Sequence, residues 1–191
     1  LLISPNIKGM DDGVNRIMPS LGLMLIAQML LDSGHTVKIH DTALEGWNNR
    51  ILVDSKKQKL LIGQSDEEIL KVISDFSPDI VAISVLFSNF LDAAHTIARL
   101  VKKVNKNTKV ILGGNHISNA VIDYKFSLLD KNSNLPDVIE DLENENIDFA
   151  IMGEGEMPML KFVEAIINDS AVNKVPGLVK KIGEKKYLIN P

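Results

Sequence analysis

Three stretches carry the residues whose types and spacing could do chemistry. They are Ser84-Val85-Leu86-Phe87-Ser88, Gly113-Gly114-Asn115-His116 and a polar loop from Asn6 to Arg16, with Gly9 and Gly13 as flexible points. Each lies at the downstream end of an apolar run. The hydroxyls of Ser84 and Ser88 can hydrogen-bond a ligand, and Ser88 can equally cap the following helix. Two consecutive glycines let a foreign group lie against the backbone, and a tight turn has the same requirement. His116 sits where these stretches should meet. His35, His40 and His95 are scattered and read as structural or surface residues. No histidine pair has ligand spacing on one helix, so no metal site is expected. Gly153-Glu154-Gly155-Glu156 is too acidic to cradle phosphate and reads as a strand-to-helix turn with carboxylates at a helix amino end. Neither Gly-x-Gly-x-x-Gly nor a Walker lysine motif is present.

The elements that position these residues follow from patterning. Ile80 to Val85 is nearly all apolar and β-branched, without alternation, which predicts a strand covered on both faces. Leu1–Ser4, Thr36–His40, Lys109–Leu112 and Phe149–Met152 are the other parallel strands expected. Helices are expected from Pro19 to Leu31, from a cap at Asp66 to Asp75, from Asn89 to Val104, from Pro136 to Glu145 and from Pro158 to Asn168. Thr42–Gly63, basic around Lys56, Lys57 and Lys59, and Ile117–Leu135 read as loops. Val175–Ile189 alternates about Gly183-Glu184 and predicts a β-hairpin. The fold class is therefore α/β: a flavodoxin- or Rossmann-like three-layer domain with a five-stranded parallel sheet, order 2-1-3-4-5, and a C-terminal hairpin. Its site belongs at the carboxyl ends of strands one and three.

The bulk numbers narrow the function classes. The 191 residues are enough for one domain with a full core. A net charge of −4 implies no nucleic-acid partner and no general affinity for anionic membrane. The absence of cysteine excludes disulfides, thiolate metal sites and a cysteine nucleophile, and agrees with a cytoplasmic location. The apolar run Leu21–Leu31 is too short to span a bilayer. Both ends are abrupt, so the chain reads as a fragment of a longer protein.

Taken together, the motifs carry a resemblance. Ser84-Val85-Leu86-Phe87-Ser88 resembles the Ser-x-Leu-x-Thr loop of cobalamin-binding domains, and Gly113-Gly114 lies close to the spacing of that family's Gly-Gly. Those domains carry Asp-x-His-x-x-Gly after the first strand, where this chain has Ser4-Pro5-Asn6-Ile7-Lys8-Gly9: the glycine is kept and the Asp and His are absent. The branch lacking that histidine, the amino-terminal domains of cobalamin-dependent radical S-adenosylmethionine enzymes, shows Pro-x-Leu-Gly-Leu, Gly-His-x-Val and Gly-Glu-Gly-Glu. The corresponding stretches here are Pro19-Ser20-Leu21-Gly22-Leu23, Gly34-His35-Thr36-Val37 and Gly153-Glu154-Gly155-Glu156. The branch is similar to anaerobic magnesium-protoporphyrin monomethyl ester cyclase and to radical methyltransferases. The resemblance implies a cobalamin-binding domain over residues 1–170 and a hairpin or linker over 171–191. Its partner is a C-terminal radical S-adenosylmethionine barrel of the same polypeptide, which would hold S-adenosylmethionine and a 4Fe-4S cluster. The implied cofactor-binding residues are Asn6, Gly9, Ser84, Leu86, Ser88, Gly113, Gly114, Asn115 and His116. No catalytic residue is implied in this chain, and cobalamin would be held base-off without a protein ligand to cobalt. The competing expectations are a domain of the same architecture with a degenerate pocket, used for packing, and a flavodoxin-like flavin or signalling module.

Overall fold

A computed structural model describes residues 1–11, 15–54, 56, 59–130 and 132–191; Gly13 and Lys57, named above, lie outside them. In chain order the elements are β1 (Leu2–Ser4), β2 (Ile7–Met10), α1 (Leu21–Asp32), β3 (Ile39–Asp41), α2 (Thr42–Glu45), β4 (Arg50–Asp54), β5 (Lys59–Ile62) and α3 (Asp66–Phe76). There follow β6 (Ile80–Ser84), α4 (Leu91–Val104), β7 (Lys109–Gly113), α5 (Asn115–Leu129), α6 (Glu140–Glu143), β8 (Phe149–Ile151), α7 (Glu156–Ile167), β9 (Leu178–Gly183) and β10 (Lys186–Ile189).

The main sheet runs β10-β9-β8-β7-β6-β1-β3. Its parallel part, β3-β1-β6-β7-β8, is the expected 2-1-3-4-5 order. The expected hairpin extends it: β9 pairs antiparallel with β8, and β10 with β9. Side chains alternate across each strand. Ile3, Val81, Ile83, Val110 and Leu112 pack under α3, α4 and α5, while Leu2, Ala82, Ile111 and Ile151 pack under α1 and α7. Because both faces are covered, the parallel strands need no polar alternation, and none is visible in Ile80–Ile83.

Four expectations need correction. First, Thr42–Gly63 is not a loop. It holds α2, β4 and β5, and β5 pairs antiparallel with both β4 and β2 to make a small separate sheet. Ile51-Leu52-Val53 and Leu60-Leu61-Ile62 supply the β-prone runs. β2 escapes detection because Gly9 interrupts it. A Cβ there would lie 2.1 Å from Asn15 Oδ1, so a larger residue would have to push that side chain off its bonds to the Met10 N–H and C=O.

Second, Ile117–Leu135 is mostly helical. Ile117, Val121 and Tyr124 are the buried i, i+4, i+7 face of α5. Exposed Ile122, Phe126, Leu128 and Leu129 make the helix apolar on its outer side too, which blurs the period. Third, the helix expected over Pro136–Glu145 shrinks to α6. Ile139, fully buried with extended backbone, plugs the core just before it. Fourth, the cap of α3 is Ser65 rather than Asp66. Ser65 Oγ accepts from Glu68 N–H at 3.3 Å, and Glu68 Oε2 accepts from Ser65 N–H at 2.7 Å, a reciprocal capping box.

Candidate functional site: a cleft at the carboxyl edge of the sheet

Strand register builds the floor of the site. Leu2, Ala82 and Ile111 face α1 and α7, so two residues further along Ser4, Ser84 and Gly113 face the same way. Asp41 on β3 is level with Ser4, and Ser84 is level with Gly113. These four residues form a row across the carboxyl ends of β3, β1, β6 and β7. All of them line a cleft of about 550 Å³. That volume is of the size that takes an organic cofactor fragment.

The walls come from three other stretches. Pro19–Leu23 opens α1 on one side, Leu86 and Phe87 stand on a second, and Gly153–Glu156 leads into α7 on a third. The lining is mainly apolar, and its rim stays exposed: Met18 is 82% accessible, Leu21 66% and Phe87 63%. Two glycines keep the cleft open. A Cβ on Gly22 would meet nothing within 4 Å, and one on Gly113 would meet only Ile151 O at 3.9 Å. At Gly155, by contrast, a Cβ would lie 2.9 Å from Ile26 Cδ1, so glycine there allows α7 to approach α1. Ser118 ties two of the loops together: its hydroxyl accepts from Gly153 N–H at 3.0 Å and donates to Gly114 O at 3.3 Å.

Of the nine residues singled out in the sequence, Ser84, Leu86, Gly113 and Gly114 line this cleft. The other five do not. Asn6 is buried and donates from Nδ2 to Gln64 O at 2.8 Å, while its Oδ1 lies over Gly63, where a Cβ would be only 1.9 Å away. Gly9 pairs with Leu60 inside the small sheet. Asn115 is exposed at the first turn of α5. Ser88 and His116 lie beside the cleft, bonded to each other, so the expectation that His116 stands in the crevice is corrected. Gly114 has φ +101° and turns the chain, and His116 N–H then donates to Val85 O at 3.1 Å, which draws the imidazole under the neighbouring loop. The walls from α1 and α7 are what residue-by-residue reading misses as a site. The available signal was the joint occurrence of the short glycine-containing motifs at 19–23 and 153–156.

Beside the cleft sits a buried carboxylate between two imidazoles. Asp141 on α6 is 2% exposed. His95 Nε2 is 3.3 Å from its Oδ1, and His116 Nε2 is 3.3 Å from its Oδ2. The His116 contact is at ion-pair distance but too bent for a well-directed hydrogen bond. His116 Nδ1 is 3.0 Å from Ser88 Oγ. Burial pushes the Asp141 carboxyl up, but the two imidazoles outweigh it and hold it down at about 2. The Asp141 carboxylate raises His116 above 6.5, against the opposing pull of burial.

A pH dependence of stability follows. The contribution of His116 is full below its ordinary value and is lost as pH rises through its raised one. The contribution of Asp141 is full above 3.8 and is lost as pH falls toward about 2. Both are therefore complete only between about pH 4 and pH 6.5. Urea unfolding should show the stability gap between the wild type and Asp141→Asn shrinking from about pH 5 to about pH 9.

An open parallel sheet with one apolar, glycine-lined cleft across its carboxyl edge defines a cofactor-binding α/β domain. The B12 binding domain model matches residues 8–163, and the chain belongs to that family. It is 31% identical over 191 residues to cytidylyl-2-hydroxyethylphosphonate methyltransferase of Streptomyces wedmorensis, covering 100% of this chain and 33% of that protein. It is 26% identical over 181 residues to an uncharacterised methyltransferase of Pyrococcus horikoshii, covering 95% and 32%. The chain thus spans about a third of the length of these relatives. Among solved structures it resembles the radical S-adenosylmethionine methyltransferase TsrM of Kitasatospora setae, with cobalamin and a 4Fe-4S cluster bound. There the TM-score is 0.64 at 18% identity, over 100% of this chain and 28% of that one. The cobalamin-dependent S-adenosylmethionine radical enzyme OxsB with aqua-cobalamin bound gives a TM-score of 0.62 at 13% identity, over 99% and 21%. Among the described residues, no helix is long and apolar enough to cross a membrane.

Proposed function

We propose that this chain is the cobalamin-carrying domain of a radical S-adenosylmethionine methyltransferase, and that it holds the cofactor base-off with no histidine beneath cobalt. The observation that carries the reading is the carboxyl-edge cleft itself. Gly113 opens it at the floor, Gly22 opens it at the side, and its described lining contains no histidine. The first histidine in the chain is His35, so the loop after β1 has none to offer.

The residues fit the nucleotide tail of cobalamin. Ser4 and Ser84 offer hydroxyls at the cleft floor, and apolar side chains from α1 and α7 exclude water from a planar aromatic base. Gly113 lets that base approach the end of β7. The exposed rim of Met18, Leu21 and Phe87 is suited to lie against the apolar face of a macrocycle. When bound, the cofactor supplies a cobalt centre able to carry a methyl group. The work of this chain is to orient it and shield its lower face. With no cysteine here, an iron–sulfur cluster and the S-adenosylmethionine it cleaves would be held by another part of the polypeptide. The methyltransferase names of the relatives favour methyl transfer over cyclisation.

The test is a titration of the chain with hydroxocobalamin followed by visible spectroscopy. Saturable uptake with a base-off spectrum is the expected result. Absence of saturation would sink the reading, and a base-on or histidine-ligated spectrum would overturn its cobalt-ligation clause.

A further inference from the structure

We infer that His116 is a positioning residue for the cofactor cleft: paired with Asp141, it fastens the Leu86–Phe87 wall through the hydroxyl of the adjoining Ser88. The inference rests on the cobalamin reading and adds to it a device outside the cleft.

The segment after β6 needs such a device. Leu86 and Phe87 form one wall of the cleft, yet they are 46% and 63% exposed, so packing alone holds them weakly. Upstream, Val85 is fixed on both sides. Its N–H donates to Gly113 O at 2.7 Å, and its C=O accepts from His116 N–H at 3.1 Å. Downstream, Phe90 N–H donates to Phe87 O at 3.0 Å, and the rings of Phe87 and Phe90 meet edge to face at 5.5 Å. Phe90 packs in turn against the main core, which leaves Leu86 to Asn89 as a short span between two held ends. Ser88 Oγ on His116 Nδ1 is a side-chain tie from this turn to α5.

The anchor behind it is an ion pair held out of solvent rather than a well-directed hydrogen bond. The Asp141 side chain is 3% exposed and His116 is 16% exposed, so the pair is shielded from solvent far better than a surface ion pair. The charged and titratable groups facing His116 are Asp141 and Glu140 on α6, with His95 on α4 sharing the same carboxylate. The two ring nitrogens are then assigned different duties. Nε2 faces the carboxylate and Nδ1 faces the serine, so the ring plane and the position of Ser88 are fixed together. In either charge state the tie survives. A protonated ring donates to Ser88 Oγ, and a neutral ring protonated on Nε2 accepts from the Ser88 hydroxyl. The chain therefore carries a serine–histidine–aspartate line whose exposed end, Ser88, adjoins the Leu86–Phe87 wall of the cleft, and the line positions that wall without touching the cofactor.

The test compares hydroxocobalamin binding at pH 7 by the wild-type chain, Ser88→Ala, His116→Ala, the double variant and Ser88→Thr. Ser88→Ala removes an exposed hydroxyl and buries no charge, so it should melt close to the wild type even if His116→Ala does not. Ser88→Ala is expected to raise Kd about fivefold. The double variant should be no weaker than His116→Ala alone, because the two residues act through one bond. Ser88→Thr, which keeps the hydroxyl, should bind as the wild type does. Wild-type affinity in Ser88→Ala, additive effects in the double variant, or failure of threonine to rescue would each overturn the inference while leaving the cobalamin reading intact. No saturable binding by the wild-type chain would overturn the cobalamin reading, and the inference with it.

Discussion

Gly113→Trp is expected to abolish measurable cobalamin uptake, raising Kd by ~100-fold or more, while the chain still folds. The size of the effect follows from where the side chain must go. Gly113 ends β7 on the face that carries Ile111, and that face looks into the cleft. A Cβ there has only Ile151 O nearby, at 3.9 Å, which is ordinary contact. The backbone poses no obstacle, because Gly113 is not among the residues with positive φ. The indole therefore enters a cleft of about 550 Å³ at its floor and takes the space of any aromatic group bound against β7. A ~100-fold loss corresponds to ~2.7 kcal/mol, less than the gain from burying one large aromatic group in a well-fitted apolar slot. Gly113→Ala should be mild in both respects, since a methyl group fits. Equilibrium titration with hydroxocobalamin checks the first property and thermal melting the second. A Gly113→Trp variant that binds as tightly as the wild type would show that the cofactor does not use this cleft.

How much of this was legible in the sequence depended on how one-sided each signal was. Ile80–Ile83 and Val110–Leu112 are continuous apolar runs flanked by polar residues, so their strands and the order of the parallel sheet could be read directly. α5 could not, because its solvent face is as apolar as its buried one: Ile122, Phe126 and Leu129 repeat the period of Ile117, Val121 and Tyr124 a few residues out of phase. The small sheet was hidden for the opposite reason. β2 is only four residues with Lys8 and Gly9 inside it, and pairing across 50 residues of sequence is not a local signal.

The site divides in the same way. Glycines and hydroxyls at strand ends point to the edge of an α/β sheet whatever else the chain does, which is why Ser84, Gly113 and Gly114 could be singled out. The apolar walls of α1 and α7 look like ordinary packing until their helices are placed side by side. His116 could not be placed at all without the dihedral angles of Gly114. A turn with φ +101° followed by a helical start sends residue 116 away from the face that residue 113 shares with the cleft.

That turn sets the second large effect. Gly114→Ala is expected to destabilise the chain by ~3 kcal/mol, with no need for a ligand to reveal it. Gly114 has φ 101° and ψ 178°, a region that essentially only glycine occupies. An alanine Cβ there would lie 2.6 Å from Val85 O and 2.9 Å from Val85 C, both backbone atoms that cannot swing aside. Relief would require β6 and β7 to part at their carboxyl ends. That would stretch the Val85 N–H bond to Gly113 O and the His116 N–H bond to Val85 O together. The two adjacent glycines thus do separate jobs: one keeps a cleft empty, the other lets the chain leave the sheet. Urea denaturation should register the difference as a large drop in midpoint for Gly114→Ala and little change for Gly113→Ala. Equal midpoints for the two variants would mean that the turn tolerates a Cβ, and that the close approach of Val85 to Gly114 is not what holds the edge of the sheet together.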